Sequence, residues 1–212
     1  MRFYYAPGTI SLMPHVALIE SGRPFTAIRV DEVTKSLDGG GDFRSVNPLG
    51  YVPALSLDDG TLLLEAAAIA QFVADLEPMR KLAPPNGTVE RAQLQAWLNF
   101  LSSELHKGGL GPLFYKDLPE PGKDVFRKRL AARFGRLDER LSRNMYLMGD
   151  AFTIADAGLY AMTSWCPRVA FDVGQWPNVG AHHARVAERP SVQRVHEVAG
   201  DQSLHCLKSL KG

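Results

Sequence analysis

The sequence contains little cysteine and has almost no net charge. Its 212 residues include only Cys166 and Cys206, which are far apart and form no C-x-x-C pair. We therefore expect two free thiols in a reducing compartment rather than a disulfide framework or a cysteine-ligated metal site. The 24 basic and 23 acidic residues leave a net charge of +1, which argues against nucleic acid or an anionic membrane as a partner.

Long apolar runs are also missing. No stretch approaches the roughly 20 residues that a membrane-spanning helix needs, and the opening MRFYYAPG lacks the apolar core of a secretory signal. These absences predict a cytoplasmic protein that makes no membrane contact. The composition, 45% hydrophobic and 22% charged, is that of an ordinary globular protein, and the length suits two small domains.

The first 80 residues alternate between strand-like and helix-like segments. Residues 2–6 and 25–30 have strand patterns on either side of a helical pattern at 11–20, which predicts a parallel βαβ unit because parallel strands need a crossover. Residues 52–57 and 61–64 then form a predicted hairpin around Asp58-Asp59-Gly60. An alanine-rich helix at 65–76 completes a βαβ-ββα order. We predict an α/β domain over residues 1–80.

Beyond residue 80 the patterns are helical. Residues 81–87 contain Pro84-Pro85 and Asn86-Gly87, which predict a linker between domains. Helical periodicity follows at residues 88–106 and 123–141, and shorter helices are expected after residues 153, 177 and 190. Residues 88–212 are therefore predicted to form an all-α second domain.

Several motifs, taken together and in order, resemble a known enzyme family. Two have local explanations: Thr153 and Asp156 form a helix capping pair, and Val52-Pro53 starts a strand with a proline, for which a cis peptide bond is predicted and a trans bond is the alternative. The whole set is similar to the cytosolic glutathione S-transferases of the bacterial beta class over nearly the full length. The motifs are Tyr5-Ala6-Pro7-Gly8, Ser11, Pro14-His15, Asn47-Pro48, Val52-Pro53-Ala54-Leu55, residues 58–63, Glu65, residues 101–107 and residues 152–156.

The resemblance implies the glutathione S-transferase fold, with a thioredoxin-like N-terminal domain that binds glutathione and a helical C-terminal domain that holds the second substrate. It also implies a homodimer. The implied activity is a detoxifying transfer of the glutathione thiolate to hydrophobic electrophiles, with glutathione as cosubstrate and without a metal or other cofactor. Two alternatives stay open. One is a glutathione-binding protein of this fold with little turnover, and the other is an isomerase or dehalogenase on the same scaffold.

The resemblance also implies the residues that contact glutathione. Lys35 is expected near the glycine end, and the Val52-Pro53 backbone beside the cysteinyl part. Glu65 is expected to pair with the α-amino group, and the Ala66 N–H with the γ-glutamyl carboxylate at a helix N-terminus.

The second domain contributes further implied contacts. Asn99, Ser103 and His106 are spaced by four and three residues, which predicts one common helical face. Asn99 and His106 are expected in the site, whereas Ser103 and Glu104 are expected to reach the partner subunit's glutathione across the dimer interface.

Two positions depart from the beta-class pattern. The family commonly has cysteine at position 10 and serine at position 66, where this chain has Ile10 and Ala66. Thiolate stabilisation is therefore expected from Ser11 and His106, helped by the positive end of the first helix; alternatively, Ser11 only caps that helix. Tyr5 is expected to be a core residue rather than a catalyst. The expected acceptor pocket, whose members are otherwise candidates for core packing, consists of Phe114, Tyr115, Trp165 and Arg168.

Overall fold

The computed structural model describes residues 1–200. They form two compact units, one of Met1–Arg80 together with the described chain from Arg189 onward, and one of Lys81–Glu188. The helical patterns predict a single domain over residues 88–212, whereas the last described helix groups with the first unit. Within residues 1–200, no helix is long and apolar enough to cross a bilayer.

The first unit is built on a four-stranded mixed sheet with strand order β2-β1-β3-β4. Strand β1 pairs in parallel with β2 and antiparallel with β3, and β3 pairs antiparallel with β4. The predicted βαβ unit and the hairpin are both confirmed, although the hairpin strands are shorter than expected. Pro53 has no N–H for a ladder, so pairing starts only after it. The strands are β1 (Arg2–Tyr5), β2 (Thr26–Arg29), β3 (Ala54–Ser56) and β4 (Leu62–Leu64).

Side chains of β1 alternate between the two faces of the sheet, as the two-residue period of a strand requires. Phe3 and Tyr5 face helix α1 (Leu12–Ser21), where their rings lie 5.2 and 4.9 Å from the ring of His15. Tyr4 faces the opposite side and packs on Phe43 of a 3₁₀ turn (Phe43–Ser45). Helix α2 (Ala66–Leu76) packs beside α1. The sheet therefore has an apolar layer on both faces.

The second unit is helical throughout. The predicted helix at 88–106 begins at Val89 but runs on to Leu113 and changes geometry on the way. Helix α6 is buried at every position and forms the centre of the unit. The elements are α3 (Val89–Phe100), a π-helical segment (Leu101–Leu110), α4 (Gly111–Leu113), α5 (Glu120–Leu141), α6 (Ile154–Thr163), a 3₁₀ turn (Cys166–Val169) and α7 (Pro177–Ala187).

The start of α6 is fixed by a buried carboxylate. Asp156 Oδ2 accepts the Thr153 N–H at 2.8 Å and lies 3.0 Å from the Thr153 hydroxyl. Its Oδ1 accepts the Leu147 N–H at 2.8 Å and lies 3.0 Å from His182 Nε2. The capping pair predicted from the sequence is therefore present, and two further donors complete it.

Residues 81–87, predicted to be a linker, pack within the second unit. Leu82 is buried, and its carbonyl accepts the Ile154 N–H at 3.0 Å. The Pro84 carbonyl accepts a hydrogen bond from Arg91 Nε at 2.7 Å. The proline-rich composition that predicted a linker fits an irregular segment, but this one is held by specific hydrogen bonds.

The last described helix, α8 (Pro190–Ala199), packs on α1 of the first unit. Glu20 Oε1 accepts hydrogen bonds from Arg189 Nη2 and from the Ser191 hydroxyl, both at 2.6 Å. The Tyr5 hydroxyl lies 3.5 Å from the Val198 carbonyl oxygen. Charge-assisted bonds at the helix start and apolar contacts along its length thus attach α8 to the sheet domain.

Candidate functional site

The turn between β1 and α1 contains Ser11, the predicted thiol-stabilising residue. Ser11 is only 1% exposed and precedes α1 at the N-cap position, yet its side chain makes no capping hydrogen bond. Its Oγ lies 2.8 Å from Thr9 Oγ1, which is also 2.8 Å from the Ala6 carbonyl oxygen. The single Thr9 proton can serve only one of these acceptors, so when it is donated to Ala6 the Ser11 hydroxyl donates to Thr9.

This arrangement adds Thr9 to the candidate residues. Thr9 is partly exposed, whereas Ser11 is buried beneath it, so a ligand at the turn meets the threonine hydroxyl before the serine. The sequence signal was present, because two hydroxyl residues two apart precede a helix, but only Ser11 matched the family motif. Ile10 between them is partly exposed and offers no polar side-chain atom.

Cys166 does not supply the thiol that Ile10 lacks. Its side chain is fully buried, and Sγ donates a weak hydrogen bond to the Met162 carbonyl at 3.7 Å. Burial raises the pKa of the Cys166 thiol to about 12, so the thiolate form is suppressed at neutral pH. Cys206, the second expected free thiol, lies outside the described residues.

Two of the implied glutathione contacts lie next to each other in the first unit. Carbons of the Lys35 side chain pass 3.5 Å from the point where a Cβ on Gly50 would sit, which places Lys35 beside the loop that leads to Val52. The Val52–Pro53 peptide bond is cis, which confirms the prediction. Val52 is partly exposed while Pro53 is buried. Lys35 thus lies beside the loop that ends at the partly exposed Val52.

The α2 N-terminus is shaped by an unusual residue. Glu65 has φ 69° and ψ 122°, a backbone conformation that non-glycine residues rarely adopt, and its exposed side chain makes no capping hydrogen bond. Ala66 follows as the first helical residue, and the first N–H groups of a helix have no partner within it. Backbone strain of this kind occurs preferentially at ligand-binding sites. The pair Glu65-Ala66 therefore presents a carboxylate and N–H donors together.

In the second unit, four of the predicted residues form one cluster. The His106 ring meets Trp165 edge-on at 4.9 Å, and Phe114 meets Trp165 edge-on at 6.4 Å. The Arg168 guanidinium lies 5.0 Å from the centre of the Phe114 ring, a cation–π distance. Tyr115 is 64% exposed. Trp165 forms the buried floor of this cluster, and Phe114 and Arg168 form its solvent-facing side.

His106 is uncharged in this setting. Burial, and secondarily the neighbouring Lys107 ammonium, lowers the pKa of His106 to about 4. The ring is therefore neutral near pH 7, where it carries one N–H donor and one acceptor nitrogen. It can hydrogen bond a thiolate but does not offer it a full positive charge.

The other predicted residues of this helix have different surroundings from His106. Asn99 and Ser103 are exposed, and the Ser103 hydroxyl donates to the Asn99 carbonyl at 2.8 Å. Glu104 Oε2 accepts hydrogen bonds from Arg133 Nη2 at 2.6 Å and Nε at 2.9 Å, and the Arg133 guanidinium lowers the pKa of that carboxyl. The prediction that residues 99, 103 and 106 share one helical face depends on uniform α-helical geometry. The helix instead widens to π geometry at Leu101, which changes the angular spacing of these residues.

Tyr5 is oriented away from a role in thiol chemistry. Its hydroxyl points to the Val198 carbonyl of α8, and burial raises the pKa of that hydroxyl. Among residues 1–200, no three His, Cys, Asp or Glu side chains are grouped as metal ligands would be.

Comparison with known proteins assigns both halves of the chain. The glutathione S-transferase N-terminal domain model matches residues 9–76 and the glutathione S-transferase C-terminal domain model matches residues 105–190. Glutathione S-transferase GstA of Escherichia coli O157:H7 is 42% identical over 193 residues, covering 91% of this chain and 96% of its own.

Solved structures agree in fold. A sphingomonad glutathione S-transferase complexed with glutathione superposes with a TM-score of 0.90 at 38% identity, covering 94% of this chain and 99% of its own. The beta-class enzyme of Sphingomonas chungbukensis gives a TM-score of 0.89 at 40% identity and covers 95% of this chain and all of its own. The chain therefore belongs to the glutathione S-transferase family of transferases, and within it resembles the bacterial beta class.

Proposed function

We propose that this protein transfers the thiolate of glutathione to an electrophilic carbon of a hydrophobic acceptor, with glutathione as cosubstrate and no other cofactor. The observation that carries the proposal is the strained Glu65 backbone at the start of α2, where the first N–H groups have no acceptor within the helix. A carboxylate beside such donors suits the charged γ-glutamyl end of glutathione. A relative that shares 38% of the sequence was solved with glutathione bound.

The first unit supplies the binding groups. The Glu65 carboxylate pairs with the ligand's α-amino group, and the Ala66 N–H donates to its carboxylate, where the helix dipole adds favourable charge. The Val52 backbone hydrogen bonds the cysteinyl part as a neighbouring strand would, ahead of the buried Pro53. Lys35, beside this loop, pairs with the glycine carboxylate.

The chemical step needs the thiolate. The thiol proton leaves to solvent, the sulfur forms the new bond to carbon, and the leaving group departs with its electron pair. In this proposal the Thr9 hydroxyl donates to Ser11 Oγ, which leaves the Ser11 proton for the sulfur. The Ser11 hydroxyl and a neutral His106 N–H then donate hydrogen bonds to the sulfur, which lowers the thiol pKa. The pocket of Phe114, Trp165, Tyr115 and Arg168 favours a flat apolar acceptor.

The proposed assembly is a homodimer in which Asn99 serves its own subunit while Ser103 and Glu104 serve the partner's glutathione. Glu104 is already paired with Arg133 in its own chain, so it reaches across only while sharing or releasing that partner. Light scattering at micromolar concentration should give about twice the chain mass of 23.3 kDa. A monomer that still conjugates glutathione would refute this arrangement. A cytoplasmic location stays a prediction from the sequence.

The test is conjugation by the purified chain. We expect retention on immobilised glutathione and thioether formation with a chloronitroaromatic acceptor. Ser11→Ala and His106→Asn should each lower kcat and raise the apparent pKa of bound glutathione, read from thiolate absorbance against pH. Retention without any thioether product would show a binding protein instead of a transferase, and unchanged kinetics in both variants would remove their assigned roles.

A further inference from the structure

The π-helical segment Leu101–Leu110 separates α3 from α4 and carries His106. Turns of π-helix are rare, mostly single, and frequent at functional sites, so ten residues in this geometry need a local cause. The sequence supplies one, because glycine occupies positions 108, 109 and 111 at the end of the segment. Glycine is otherwise unfavourable inside a helix, so three glycines so close together call for a reason.

Each of these glycines lies against the carbonyl oxygen of the residue five positions earlier. A Cβ at Gly108 would lie 2.5 Å from the Ser103 oxygen, and one at Gly109 would lie 2.9 Å from the Glu104 oxygen. Gly109 would also meet Leu130 Cδ2 at 2.6 Å. These separations are shorter than a methyl group tolerates. The wide helical turn therefore requires residues without a side chain at these positions.

The third glycine approaches His106 itself. A Cβ at Gly111 would lie 2.9 Å from the His106 carbonyl oxygen, and the Gly111 N–H donates its hydrogen bond to that same oxygen. The centre of the His106 ring lies 4.9 Å from the centre of the Trp165 ring. Gly111 therefore contacts the backbone of the same residue whose ring packs on Trp165.

We propose that Gly108, Gly109 and Gly111 are positioning residues that hold His106 against Trp165 by keeping the helix in π geometry, with Gly111 acting most directly. The proposal rests on the proposed function only where it links His106 to the thiol. The positioning of His106 by the glycines concerns contacts within the second unit alone. The three glycines then determine the geometry around His106 in addition to packing the helix.

The first experiment follows the His106 ring by NMR, with its signals assigned by their loss in His106→Asn. In the wild type the ring should titrate near pH 4. In Gly111→Ala the midpoint should rise toward the usual value of about 6.5, because the shifted helix withdraws the ring from Trp165. Gly180→Ala in α7 is the matched control, since its Cβ meets nothing within 4 Å, and its midpoint should equal the wild type's. An unchanged midpoint in Gly111→Ala overturns the inference.

The second experiment is a double-mutant cycle in the conjugation assay. We expect Gly111→Ala to lower kcat about tenfold, as misplacement of a reacting group does, while retention on immobilised glutathione is unchanged. In the His106→Asn background the same change should lower kcat less than twofold. An equal loss in both backgrounds shows that Gly111 does not act through His106 and overturns the inference.

The two experiments separate this inference from the proposed function. If the wild type shows no turnover, or His106→Asn keeps full turnover, the proposed role of His106 fails and the NMR titration alone decides the positioning claim. If Gly111→Ala does not fold, Gly108→Ala takes its place, since its Cβ meets the Ser103 carbonyl instead, and the same titration decides.

Discussion

His15 should make the protein sensitive to mild acid. The residue is 1% exposed, and its ring lies 5.2, 4.9 and 5.7 Å from those of Phe3, Tyr5 and Phe25. Its Nδ1 is buried and has no hydrogen-bond partner among residues 1–200. Burial lowers the pKa of His15 to about 4, because the imidazolium would lose its hydration in this aromatic setting.

The direction of this pH effect on stability follows from proton binding in the folded and unfolded states. The unfolded chain protonates this histidine below about pH 6.5, whereas the folded chain resists protonation down to about pH 4. Between these values the unfolded state binds more protons, so the free energy of unfolding falls as the pH falls. Integration over this window gives a loss of about 2.5 kcal/mol near pH 4.5 from this one residue.

His15→Leu removes the titrating group at similar volume. Near pH 7.5 we expect little change in stability, since removal of an unpaired buried nitrogen offsets the lost ring contacts. Near pH 4.5 the free energy of unfolding of the variant should exceed that of the wild type by about 2.5 kcal/mol. Urea unfolding followed by tryptophan fluorescence measures this difference. His106 titrates in both proteins and cancels from the comparison. If the two proteins lose the same stability between these pH values, the burial argument for His15 is wrong.

Three further changes test the site and the fold. Ala66→Ser should tighten glutathione binding about tenfold in calorimetry, because one hydrogen bond to a charged carboxylate is restored; unchanged affinity would place that carboxylate elsewhere. Ile10→Cys should gain a glutathione adduct on incubation with oxidised glutathione, seen by intact mass spectrometry, while the wild type shows none at position 10. Asp156→Ala should lose about 3–5 kcal/mol in chemical denaturation, because four buried donors lose their acceptor, and a loss below 1 kcal/mol would contradict the hydrogen-bond account.

Local signals predicted most of the first unit correctly. The βαβ unit, the hairpin at Asp58-Asp59-Gly60 and the helix at 65–76 follow from side-chain period and turn residues, which act over a few positions. The unusual backbone at Glu65 left no such signal. A glutamate gives no sequence sign of a positive φ, which is set by how β4 and α2 must join.

The second unit shows where local reasoning ends. Helical periodicity located α3 and α5, but it assumed 3.6 residues per turn beyond Leu101. The sequence does contain a sign of different geometry in the run Gly108-Gly109-Leu110-Gly111. That these glycines indicate a π-helix follows only from the positions of the nearby carbonyl oxygens, which periodicity does not give. Contacts between distant residues, such as Arg133 with Glu104 or Asp156 with His182, were likewise beyond periodicity and capping rules.

The attachment of α8 to α1 also bears on how the chain folds during synthesis. The sheet and α1 leave the ribosome first, yet the residues that pair with Glu20 are made more than a hundred positions later. At about 5–20 residues per second this delay is on the order of ten seconds. During that time the α8-binding side of α1 is uncovered and apolar groups around Leu12 and Tyr5 are exposed to other chains. Aggregation during expression should therefore respond to changes in α8, although α8 lies at the opposite end of the described sequence.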